Sequence, residues 1–160
     1  MKKKILAHFD FFPPRYNAGA ERYALAMFKY LIKQGHEVKV LTQPAMGPNG
    51  YEYEGIKVYT SEKDHLDELY EEADYVVTQI AYSGRVRDFC RRKNKKLIYL
   101  VHNTKSIGFW GITPADVWLT VWNADWVRDY TKNQLKWIPS NHDATLYPPT
   151  LFEDYQVPEE

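Results

Sequence analysis

At 160 residues the chain has the length of one domain, enough to bury about 70% of the surface that its unfolded form exposes. Lys plus Arg and Asp plus Glu stand at 21 each, so the formal net charge is zero; this argues against a generic nucleic-acid binder, without excluding a local basic patch. A single cysteine, Cys90, excludes an internal disulfide framework, and no apolar run reaches the roughly 18–20 residues of a membrane span.

The elements follow one another with short connections. Lys4–Phe9 is an apolar run that reads as a first strand, and Met1-Lys-Lys-Lys ahead of it lacks the cleavage site of a signal peptide. A soluble protein of a reducing, cytoplasmic compartment is therefore expected. Pro13-Pro14 and the loop Arg15–Glu21, with its one glycine Gly19, come next. Over 22–34, Ala24, Met27, Phe28 and Leu31 mark the apolar face of a helix, with Gly35 placed as the residue that ends it. Glu37–Thr42 reads as a buried strand, and Ile56–Thr60 as another after the turn-forming stretch Pro44–Gly50.

Leu66, Leu69, Tyr70 and Ala73 repeat the helical spacing, Tyr75–Gln79 is a strand, and Val86, Phe89 and Cys90 mark a helix ending in Arg91-Arg92-Lys93. Leu97–Val101 and Val117–Val121 are further strands, followed by a helix from about Asp125 to Leu135. This alternation predicts an α/β fold: a Rossmann-like, doubly wound, mostly parallel sheet of about six to seven strands with helices on both faces. Residues 1–147 are read as that domain, and the Pro- and acid-rich residues 148–160 as an interdomain linker or C-terminal extension.

The first stretch with chemistry in it is Asn17-Ala18-Gly19-Ala20. A helix that starts just after a strand through a glycine presents unpaired backbone N–H groups to an anion. An ordinary strand-to-helix turn with Asn17 as a local cap is the competing reading. The loop is not G-x-G-x-x-G, and no acidic residue ends the second strand, which counts against a nicotinamide dehydrogenase. No Gly-Lys-Ser/Thr follows, so it is no P-loop either.

His102-Asn103 stands at the carboxyl end of the fifth strand, the edge at which open α/β sheets bind ligands. A histidine there can hydrogen-bond a hydroxyl or shift protons near neutrality, or it can be a partly buried residue satisfied by backbone groups. Asn123-Ala-Asp125 occupies a similar edge, with a helix N-cap as its plainer role. Trp110, in a loop, is placed to stack on a sugar or base, whereas Trp118 and Trp122 read as core. The run Arg91–Lys96 reads as a solvated face at a helix end, with anion docking as the minority reading. The scattered histidines and lone cysteine give no metal-ligand spacing, and Asp64-His65 and His142-Asp143 read as surface pairs.

Taken together, Lys4-Ile-Leu, Phe12-Pro13-Pro14, Gly19-Ala20-Glu21-Arg22, Ala26, Leu31, Gly35-His36-Glu37-Val38 and Leu41-Thr42 resemble the N-terminal domain of glycosyltransferase family 4, of GT-B fold. The likeness runs on through Ala73–Val77, His102, Ala115-Asp116, Asn123, Trp126-Val127-Arg128 and Leu146–Pro149. It implies a retaining, hexosyltransferase-like enzyme of two Rossmann-like domains, the N-terminal one binding acceptor and the C-terminal one a nucleotide-diphosphate sugar.

By that resemblance Gly19, with Ala18 and Ala20, faces the donor phosphates, and His102 is the catalytic position near the transferred sugar. Arg15, Asn17, Asn103, Asn123 and Trp110 line the acceptor side of the cleft, and no metal is expected. The family's donor domain, with its two closely spaced glutamates, has no counterpart in these residues. The expected partners are therefore a C-terminal donor domain in the same or another chain and a sugar, lipid-linked or other large acceptor. No cofactor is expected on this chain alone. A non-catalytic acceptor-binding or partner-recruiting module is the alternative.

Overall fold

The structure is a computed structural model, and it describes residues 1–16, 18–47, 49–79, 83–102, 112–134 and 142–146. The strands are β1 (Lys4–His8), β2 (Glu37–Leu41), β3 (Tyr51–Tyr53), β4 (Ile56–Tyr59), β5 (Tyr75–Gln79), β6 (Lys96–Val101), β7 (Leu119–Trp122) and β8 (His142–Thr145). The helices are α1 (Gly19–Lys33), α2 (Glu62–Glu72), α3 (Ser83–Lys93) and α4 (Asp125–Gln134). They build one eight-stranded sheet in the order β3-β4-β2-β1-β5-β6-β7-β8, parallel except where β3 runs against β4.

The fold is the doubly wound, Rossmann-like one expected, with more strands than the expected six to seven. Two edge strands make the difference. Tyr51–Tyr53 forms a hairpin with β4 through Glu54-Gly55, both at positive φ (49° and 84°). Its three residues are too few to show a period within a stretch rich in Gly and Pro. His142–Thr145 pairs with β7 despite a polar sequence, and Ala144 is its only apolar residue. The expected strand Val117–Val121 starts later, at Leu119, because Pro114–Asp116 forms a 3-10 turn first. Asp116 fixes that turn by accepting from the backbone N–H and hydroxyl of Thr113 (3.0 and 2.8 Å). The tail 148–160 lies outside the described residues.

Strand alternation sorts the core into two layers. Ile5, Ala7, Val38, Val40, Val77, Leu100 and Val121 face one side, where Ala24, Met27 and Phe28 of α1 cover part of the sheet. Leu6, Val76, Leu97, Tyr99 and Trp122 face the other, against Leu69 and Tyr70 of α2, Val86 and Cys90 of α3 and Val127 of α4. Phe28 stacks on Phe9 and Phe12 at centroid distances of 5.7 and 6.3 Å, pinning α1 over the sheet's centre.

Helix ends are closed by local chemistry. Gly35, at φ 95°, takes the left-handed turn that stops α1, and the amides of Gly35 and His36 bond back to Ile32 and Leu31 (2.9 and 3.0 Å). Lys95 donates from Nζ to the carbonyls of Glu71 and Ala73 (3.2 and 2.9 Å), satisfying the exposed end of α2.

Candidate functional site

β1 pairs with β2 on one side and β5 on the other, and the chain leaves these strands toward opposite faces, through α1 and α3. This is a switch point of the sheet, and beyond the carboxyl ends of the strands at such a point open parallel sheets take their ligands. The polar residues of this edge are His8 and Asp10 on β1 and its loop, Gln79 ending β5, His102 after β6 and Asn123 after β7. Glu21 and Tyr23 join them from the start of α1.

His102 sits with its ring edge-on to Tyr23, centroids 5.1 Å apart, and its Nε2 2.7 Å from Oε1 of Gln79. An amide oxygen only accepts, so Nε2 carries the hydrogen and Nδ1 the lone pair. Burial pushes the imidazole pKa down to about 4. At neutral pH the ring is therefore uncharged, able to donate or accept a hydrogen bond but not to act as a fixed cation. Asn123 donates from Nδ2 to the carbonyl of His102 (2.8 Å), tying the end of β7 to the end of β6. Among the described residues, Nε2 of Gln79 and Oδ1 of Asn123 have no partner.

The start of α1 is open. Ala18 is the extended residue ahead of the helix, and a Cβ added at Gly19 would meet nothing within 4 Å. Glu21, two positions further on, turns its carboxylate back to the amide end of the helix, where the N–H groups of Glu21 and Ala18 hold it. Burial nonetheless raises its pKa, with the Asp10 carboxylate adding to the rise, and one oxygen, Oε2, is left without a partner. Asp10 is likewise raised by burial, against the pull of the N–H groups of Asp10 and Phe11 (Phe11 N–H donating at 3.0 Å). Asp10 and Glu21, two buried carboxylates that pair with no cation among the described residues, thus stand close enough at the start of α1 for one to raise the other's proton affinity. Sequence reasoning passed over both, although an acid just after an apolar strand and another at the third helical position were in plain view.

A second buried group was also missed. His8, fully buried, holds Tyr70 Oη at Nδ1 (2.7 Å) and Glu62 Oε1 at Nε2 (2.8 Å), and Glu62 is paired with Arg85. Burial lowers the histidine's pKa and outweighs the carboxylate that raises it. The neutral ring therefore bridges α2 to the end of β1. The signal was a histidine inside the apolar run Lys4–Phe9.

Other expected residues do not gather here. Arg15 lies over the ring of Tyr51 (4.1 Å to the centroid) and donates to the carbonyl of Met46. Ala20 is half-buried in the first turn of α1. Asn17, Asn103 and Trp110 lie outside the described residues, as does Trp137. Trp122 is fully buried and Trp118 half-buried, while Trp126 is 66% exposed.

The basic run is largely absorbed locally: Arg91 pairs with Asp116, Lys93 with Asp67, and Arg92 lies 4.8 Å over Phe89. Asp64 accepts from the hydroxyl of Ser61 (2.8 Å) and Asp143 pairs with Lys132, so both adjacent acid–histidine pairs are engaged in local structure. Burial pushes the Cys90 thiol up to about 12, so it is no nucleophile at neutral pH. Among the described residues no cluster of ligating side chains has the makings of a metal site, and no helix is long and apolar enough to cross a membrane.

Fold and edge chemistry together define a doubly wound α/β domain with buried polar residues gathered at the carboxyl edge of its switch point. The sequence matches no protein-family model and is similar to no curated protein.

Proposed function

We propose that this sheet edge is one wall of a transferase cleft. The chain would be the acceptor-side domain of a retaining glycosyltransferase that moves a sugar from a nucleotide-diphosphate donor to an acceptor hydroxyl. The donor would be held by a second domain, in the same or another chain, and no protein base is assigned. The observation that carries the reading is Gly19. Neither a positive φ nor crowding demands glycine there, and its missing side chain leaves the outer side of the first turn of α1 without bulk, beside the amides that Glu21 caps. His102, neutral and oriented by Gln79, stands at the same sheet edge as a hydrogen-bonding group for the sugar.

The test is transfer from radiolabelled UDP- and GDP-sugars to a panel of acceptors by the full-length protein that carries this domain. Turnover is expected to fall in both His102→Ala and Gly19→Val. Full turnover in both variants would remove the site assignment. Micromolar binding of UDP-glucose to the 160-residue chain alone, read by calorimetry, would contradict the division of labour between domains.

Asp10 and Glu21 favour a second reading, a non-catalytic module that recruits an acceptor or partner, because buried carboxylates beside Gly19 oppose an approaching phosphate. On that reading Glu21→Gln strengthens binding of inorganic pyrophosphate, while sugar transfer is absent from wild type and variant alike.

A further inference from the structure

Parallel strands are stable when both faces are covered. In the described residues, α3 and α4 cover one face of β5, β6 and β7 and α2 that of β1, while α1 on the other face lies over the β1–β2 side. Beside α1 this leaves an apolar groove of about 400 Å³. Its floor is Tyr75, Ile98, Trp118 and Leu119, all half-buried, and Leu31 of α1 and Leu146 form its walls.

The groove is charged at one end. Lys3 lines it, and Lys96 places its Nζ 5.3 Å from the Trp118 ring centroid and 5.9 Å from that of Tyr75. Neither lysine has a carboxylate partner among the described residues, whereas Lys2, Lys29, Lys39, Lys93 and Lys132 are each paired with an acid. Both stand at the amino ends of the strands, away from His102 and Gly19.

We infer that the groove is a docking site for an amphipathic α-helix of a partner polypeptide. The helix seats its apolar stripe on Ile98 and Trp118 and brings carboxylates to Lys3 and Lys96. A helix fits because the slot lies beside α1 on a stretch of parallel sheet that no helix covers among the described residues, where a doubly wound fold places its next helix. Acidic residues fit because two ammonium groups that have no carboxylate partner among the described residues stand at one end of the apolar floor. The inference uses the opposite sheet edge from the candidate site and stands or falls independently of the transferase reading.

The probe is a synthetic Ala-based helical peptide of about five turns, with Leu at i, i+3, i+4 and i+7 and Glu in its first turn. It is titrated into the 160-residue chain by calorimetry, alongside a Lys-for-Glu version and a scrambled one. The acidic peptide is expected to bind at micromolar Kd and the basic one at least tenfold more weakly. Ile98→Glu abolishes binding while near-ultraviolet circular dichroism shows the fold retained, and Lys3→Glu with Lys96→Glu reverses the charge preference, a result no misfolded variant would give.

Equal affinity for the three peptides, or none for any, overturns the proposal. So does a concentration-dependent dimer that Ile98→Glu dissolves, which assigns the groove to a second copy. Tighter peptide binding after removal of residues 147–160 assigns it to the chain's own terminus and likewise overturns the proposal.

Discussion

The neutral His102 should make the protein lose stability in acid in a way that one substitution can isolate. Its pKa of about 4 in the folded chain lies below the 6.5 of an unfolded chain. Above pH 6.5 neither state holds the proton and the residue contributes no pH dependence. Between pH 6.5 and about 4 the unfolded chain takes up a proton that the folded chain does not, so stability falls as pH falls, and below about 4 the loss is complete. The interval converts to about 3 kcal/mol. Asp10 and Glu21 run the other way, because carboxylates with raised pKa bind protons more readily in the folded state and so recover stability in acid.

His102→Gln keeps a donor toward Gln79 but cannot titrate, so the difference between the wild-type and variant profiles removes the carboxylate contribution. Urea denaturation from pH 7.5 to 4 is expected to show the wild type losing about 3 kcal/mol more than the variant. The His102 ring proton, followed by NMR, is expected to stay constant through pH 6. A midpoint near 6.5, or parallel profiles for the two proteins, would refute the burial of a neutral ring.

Three further outcomes rest on the same kind of accounting. Tyr70→Phe removes the hydroxyl held at 2.7 Å from Nδ1 of the fully buried His8; denaturation should show a loss of about 1–3 kcal/mol with the fold unchanged. Gly35→Ala forces a side chain into φ 95° and is expected to cost about 1–2 kcal/mol, whereas Gly19→Ala, with open space and no positive φ, should leave stability unchanged or raised by up to about 1 kcal/mol. Phe28→Ala empties the stack with Phe9 and Phe12 and is expected to cost about 3–5 kcal/mol in the same assay.

How far the sequence could be read depended on whether a residue's role was local. α1, with its apolar face at Ala24, Met27 and Phe28 and its stop at Gly35, could be placed from spacing alone, as could β5, whose bounds Tyr75–Gln79 are those expected. The edge strands escaped because their stability comes from a neighbour's hydrogen bonds. Thr145 and His142 hold their places through Trp122 and Leu119 rather than through any apolar period of their own.

Within the site, His102 and Asn123 were legible from their positions at strand ends. The buried roles of Asp10, Glu21 and Gln79 were not, because burial of a polar group is set by residues distant in the chain and leaves no mark on local spacing. The His8 bridge was hidden for a related reason. Its partner Glu62 is 54 residues away, and nothing in the spacing brings the two together.

The central place of β1 also bears on how the chain comes together. β1 precedes the other described strands of this sheet in the chain, yet it gains its second neighbour only when β5, at Tyr75–Gln79, is available. Until then one edge of β1 is unpaired while its apolar faces lack most of their cover. Pairing at such sequence separation carries a loop-closure cost before it returns any stability, so this topology favours slow, all-or-none folding over stepwise growth from the amino terminus. A nascent chain that ends before Gln79 should therefore expose a sticky strand, and residues 75–79 are where protection from aggregation begins.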